Sequence, residues 1–138
     1  MQAQPVPIDE RRAIFDAAAP PGFLYPESFQ RVIAGELPDI LPIWWLVQFR
    51  GSVEWWSDTV RNQYPSRSLV PFAKQEATDD VYCFDTSGTD SEPLVLQIHT
   101  FASPGWEYRG EWLSFDSFLR AADEAHQEWL LDQQEPDV

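Results

Sequence analysis

The chain has 138 residues, a single cysteine and a formal net charge of −14. That length suits one domain and buries a core without metal or disulfide support, while the lone Cys83 excludes an internal disulfide and a thiolate zinc cluster. The charge is concentrated: residues 1–75 carry 8 acids and 7 bases, residues 76–138 carry 15 acids and only Arg109 and Arg120. An acidic half of this kind repels free nucleic acid and anionic lipid, and it attracts a basic protein partner.

The opening stretch MQAQPVPIDERR lacks the apolar centre of a signal peptide. No apolar run approaches the roughly 20 residues that span a bilayer. A soluble, cytoplasmic protein is the expectation. Residues 1–8, with two prolines and little to bury, read as a loose arm, and residues 132–138 as a loose tail.

IDERRAIFDAAA predicts a first helix with Asp9 as N-cap and Ile14, Phe15 and Ala18 on its apolar face. A second starts at Pro26, faces Phe29, Val32 and Ile33 inward and stops at Gly35. IWWLVQF, aromatic and β-branched, predicts a strand in which Trp44 and Trp45 point to opposite faces. In GSVEWWSDTVRNQY, Val53, Trp56, Val60 and Tyr64 recur at helical spacing behind a Ser52 N-cap, leaving Trp55 at the boundary.

From there the pattern turns to β. LVPFA and VYCFD predict short strands, and Pro71, which cannot donate to a ladder, implies an edge or a strand start. LVLQIHTF predicts a longer strand, and SPGW has the Pro-Gly order of a type II turn. EYRGEWL alternates, with Tyr108, Gly110 and Trp112 on one face and Glu107, Arg109 and Glu111 on the other. The last element, SFDSFLRAADEAHQEWLL, predicts a helix capped by Ser114, with Asp116 in its first turn and an apolar stripe of Phe115, Phe118, Leu119, Ala122, Ala125 and Trp129. N-terminal helices, a mainly antiparallel sheet and a C-terminal helix packed on it make a single α+β domain over residues 1–138.

The carboxylates Asp79, Asp80, Asp85 and Asp90 lack the spacing of a calcium loop. A paired-carboxylate hydrolase needs only two acids at the right separation and would show a deep acidic cleft. Aspartate also favours turns, so Asp80 is expected to cap the entry to its strand and Asp85 to end it. His99 and His126 have no metal-pair spacing, no serine sits in a nucleophile elbow, and no glycine-rich phosphate loop occurs. Cys83, between Tyr82 and Phe84, reads as a small buried hydrophobe. No cofactor and no metal are expected.

Leu69 to Asp85, LVPFAKQEATDDVYCFD, resembles the SUKH superfamily, the Smi/Knr type, in which an I-P-F-A strand leads through a loop to G-D-x-Y-x-F-D. LSFDSFLRAA is similar to that family's S-F-x-x-F-L helix start, matched by Ser114, Phe115, Phe118 and Leu119, and GFLYPESFQRVIAG to its early helix. The resemblance spans Gly22 to Ala125 and departs where Asp79 replaces the family's frequent glycine. It implies a non-enzymatic α+β module: many bacterial members are toxin-neutralising immunity proteins, often against nucleases, and a fungal member is a scaffold-like regulator. The expected function is therefore an immunity protein whose acidic surface occludes a basic toxin, with a regulatory or scaffolding domain as the alternative. Its expected partner-binding residues are Asp79, Asp80, Asp90, Glu92, Glu107 and Glu111.

Overall fold

A computed structural model describes residues 4–88 and 92–134. Helix α1 (Ile8–Ala18), helix α2 (Glu27–Ile33), strand β1 (Ile43–Trp45) and a 3-10 turn at Leu46–Gln48 precede helix α3 (Ser52–Gln63). Strands β2 (Leu69–Gln75), β3 (Asp80–Asp85), β4 (Val95–His99) and β5 (Tyr108–Trp112) follow, and helix α4 (Phe115–Gln134) closes the chain. The strands form one antiparallel sheet in sequence order, β1-β2-β3-β4-β5. The architecture is the expected α+β domain.

One sheet face carries an aromatic core. Phe72 of β2 and Phe84 of β3 meet Phe29 of α2 and Phe115 of α4, and Tyr82 and Trp112 meet Phe118. Phe15 reaches the same layer through Phe29 and Tyr25, whose hydroxyl donates to the Phe15 carbonyl (2.5 Å). Burial pushes the Tyr25 and Cys83 pKa values upward, and that of Tyr82 to about 12. The buried Cys83 is thus the inert hydrophobe expected of it.

Helix α3 covers the opposite face. Trp45 packs with Phe72 and Phe115, so its neighbour Trp44 points the other way. There Trp44 lies opposite Lys74, whose ammonium sits between the Trp44 and Trp56 rings. Val53, Trp56, Val60 and Tyr64 are all buried, as their spacing predicts.

Several local expectations need correction. The N-terminal arm is tied down over its described part. Val6 is buried, its N–H donates to the Val47 carbonyl, and the Gln4 carbonyl accepts from the Arg50 N–H. Arg11, itself buried, adds a bond from Nε to the Val6 carbonyl, and desolvation lowers its pKa. At the other end α4 continues through residues 132–134.

The residues before α1 and α3 are Pro7 and Gly51; neither Asp9 nor Ser52 caps. Ser114 does, its Oγ accepting from the Ser117 N–H (3.1 Å). The strand expected over IWWLVQF stops at Trp45, because the chain turns into a 3-10 segment that buries Leu46 and Val47. Pro71 lies inside the sheet, at a bulge between Pro71 and Ala73 and beyond the Ala73–Gln75 stretch that pairs with β1. A bulge and an unpartnered flank are what a residue without an N–H tolerates.

Candidate functional site

At one end of the sheet the β4–β5 connection, residues 100–107, departs furthest from the sequence reading. LVLQIHTF does not continue as a strand: β4 ends at His99, and Phe101 adopts a left-handed conformation with φ +64°. That conformation is unfavourable for a bulky side chain and persists only when its surroundings impose it.

The imposing groups are identifiable. Thr100 is fully buried, and both its N–H and its hydroxyl donate to the Asp79 carbonyl (3.0 and 2.6 Å). The Phe101 N–H donates to Gln63 Oε1 (2.6 Å). The Tyr64 hydroxyl, with one proton to share, lies 3.1 Å from the His99 carbonyl and 2.9 Å from that of Ala102. Two consecutive residues at the end of α3 therefore hold the loop's polar backbone in place of a ladder.

The loop's far side is fixed by Glu107. Its carboxylate accepts from Arg67 Nε (2.6 Å) and from the Gly105 N–H (2.6 Å). Burial alone would raise the Glu107 pKa, but the Arg67 and backbone hydrogen bonds outweigh it and hold the group below its ordinary value. Between these anchors Ser103-Pro104-Gly105-Trp106 forms the expected turn, with Gly105 at φ +100° and the Trp106 N–H donating to the Ser103 carbonyl (2.9 Å). The product is a hydrogen-bonded loop presenting two aromatic side chains to solvent, Phe101 at 61% and Trp106 at 76% exposure.

The expected partner-binding acids are spread over both ends of the β3–β4 pair. Asp79 is exposed beside this loop. Asp80 is largely covered, its side chain 17% exposed, and accepts from the His99 Nδ1–H (2.6 Å) and from Gln97 Nε2 (2.8 Å). It does not cap its strand; the Thr78 hydroxyl accepts its N–H instead. Asp85 does end β3, accepting from the Ser87 N–H and hydroxyl.

Glu92 is exposed but precedes β4, at the end of the β3–β4 pair away from Asp80, whose partner is His99. Glu107 is a correction: only 5% exposed and committed to Arg67, it braces the loop. The alternation that put it outward fails because Gln97 and Ile98 pair with Gly110 and Tyr108, leaving Arg109 as an extra bulged residue. Glu111 is exposed and accepts from the Tyr108 hydroxyl (2.7 Å). Asp90 lies outside the described residues.

A polar recess of about 400 Å³ between α1, the end of α3 and the start of β2 is lined by Arg61, Arg67, Ser66, Ser68 and Thr86, and none of the expected acids borders it. His126 is buried and donates from Nδ1 to the Leu41 carbonyl (2.7 Å), holding α4 to the loop before β1. Phe101 and Trp106 were missed as surface residues because one continued an apolar strand pattern and the other belonged to a turn motif. The available signal was the Ser-Pro-Gly break, which fixes Trp106 on a turn. Comparison of the chain with protein-family models, with curated proteins and with solved structures returns no match.

Proposed function

We propose that this chain is a non-enzymatic protein-binding module of the SUKH type, an immunity protein that neutralises a basic toxin domain by occluding its surface. The observation that carries the reading is the pair Phe101 and Trp106, held open on a loop braced by α3 and flanked by Asp79. A pre-ordered aromatic pair contributes contact area at little entropic cost, the usual character of an interface anchor. The surplus of acids over residues 76–138 supplies long-range attraction for a cationic partner and accelerates encounter. Attraction of this kind is expected from Asp79, Glu92 and Glu111; Asp80 and Glu107 support the loop and the sheet end behind it.

The test is co-expression with the C-terminal domain of a secreted toxin, wherever such a protein is found encoded beside this chain, scored by growth rescue and co-purification. Rescue that disappears in a Phe101→Ala/Trp106→Ala double variant is the expected result, as is slower association with a flatter salt dependence for Asp79→Lys. A neighbouring domain that is harmless, or that kills cells regardless, removes the immunity role. A regulatory or scaffolding role would then be pursued by unbiased pull-down with the same double variant as control.

A further inference from the structure

Strand β5 is the last strand of the sheet, and among the described residues no backbone hydrogen bond from another segment reaches its outer edge. An open edge is a template for a further strand. The residues along it, Tyr108-Arg109-Gly110-Glu111-Trp112, are self-complementary when read antiparallel about Gly110. We propose that two copies of this chain associate through β5, antiparallel and two-fold symmetric about Gly110, to form a continuous sheet across both.

In that register Arg109 of each copy faces Glu111 of the other. Both are exposed, and Arg109 has no ion-pair partner among the described residues. Arg109 is one of only two bases in the acidic half, so its position opposite an acid is where an isologous contact needs it. Gly110 faces Gly110, the one position where the pair is identical, and there no side chain crowds the axis.

Counting past the bulged Arg109, Leu113, 74% exposed at the strand's end, falls opposite Trp106 of the second copy. The pairing would therefore give the most exposed leucine of the acidic half an apolar neighbour, at both ends of the strand. The bulge at Arg109 limits the regular edge to a few residues, so the interface is small, roughly 1,200 Å² or less, and reversible.

The register gives a sharp test. In a facing antiparallel pair the Cα atoms are about 4.5–5.5 Å apart, within disulfide reach. A Cβ added at Gly110 meets only Gln97 Oε1 at 3.7 Å, an ordinary contact, so Gly110→Cys fits the fold. With oxidised glutathione taking up the two electrons, this variant is expected to form a covalent dimer, while Glu111→Cys, displaced along the strand from its own copy, is not. The native Cys83 is buried and takes no part.

Sedimentation of the wild-type chain at high concentration is expected to approach twice the 15.9 kDa chain mass. Arg109→Glu should weaken association at least tenfold by placing acids opposite each other, and Arg109→Glu/Glu111→Arg should restore it. A wild type that stays at single-chain mass overturns the proposal, as does Gly110→Cys cross-linking no faster than Glu111→Cys. If Arg109→Glu fails to fold by circular dichroism, the two cysteine variants decide.

Discussion

Two sets of aromatic side chains in this protein share a residue class and have opposite fates. Phe29, Phe72, Phe84 and Phe115 meet in all six pairings with ring centroids 4.7–5.6 Å apart, and each is at most 1% exposed. Phe101 and Trp106 stand mostly in solvent, and their positions are set by hydrogen bonds to the backbone beneath them. The core rings hold one another, so their placement and their stabilising effect are the same contacts. The loop rings are held by Gln63, Tyr64, Arg67 and Glu107, which leaves their own faces unspent. Placement and use are separated in the loop and fused in the core.

The sharpest way to break the comparison is to remove one ring from the core. Phe84→Ala deletes a ring in contact with the other three, and with Phe23 and Tyr25, and is expected to cost about 3–5 kcal/mol, measured by urea or thermal unfolding. A loss under roughly 1 kcal/mol would mean that the four rings do not act as one packed unit.

Next in size is the loop's brace. Arg67→Met leaves the buried Glu107 carboxylate without its cation and should cost roughly 1–3 kcal/mol, the arginine being partly exposed. The pH dependence has a definite sign. The Glu107 pKa is depressed in the folded state, so its contribution is fully present above the unfolded value of about 4.3 and is lost as pH falls through the lower folded value. Stability measured from pH 6 down to pH 3, a range of roughly 3 pH units around that value, should fall less steeply in Glu107→Gln than in wild type. Equal slopes would show that the pair carries no proton linkage.

The two regions also differ in how far they can be read from sequence. Helix and strand order, the stripe of α4 and the buried face of α3 follow from periodicity, because packing enforces a period wherever an element covers the sheet. The α4 cap and the Pro-Gly turn follow from local chemistry that needs no tertiary partner. The loop could not be read in the same way. The bonds from Gln63 and Tyr64 join positions 35–38 residues away, and the Arg67–Glu107 pair closes a gap of 40. Nothing near Glu107 announces that partner, and the bulge at Arg109 shifts the alternation that would have placed it outward. The spread of the expected acids has a related reason: composition counts charges, whereas the sheet puts Asp80 and Glu92 at opposite ends of a strand pair.

A smaller effect of opposite sign is expected at Phe101. Glycine accepts a φ of +64° freely, and little apolar surface is lost from a side chain 61% exposed. Phe101→Gly should therefore raise stability by about 0.5–1 kcal/mol, read as a higher unfolding midpoint. The same variant should lose affinity for a partner that docks on the loop, separating the strain from its use. A variant less stable than wild type would place Phe101 among the packed rings after all.

The smallest effect on the fold belongs to Trp106, and it bears most directly on function. Its indole is 76% exposed, and the turn that holds it uses only its backbone N–H, which any residue but proline supplies. Trp106→Ala should leave stability within about 0.5 kcal/mol of wild type. At the same time, truncating an anchor residue is expected to weaken a partner complex by about 2 kcal/mol or more, near thirtyfold in Kd, in titration calorimetry. Unfolding and binding measured on one preparation therefore separate two origins for this side chain. If both stay at wild-type values, the exposed tryptophan is no anchor, and the acids around it would have to carry recognition alone. If stability holds while binding falls, the loop is a scaffold for a side chain that the fold itself does not need.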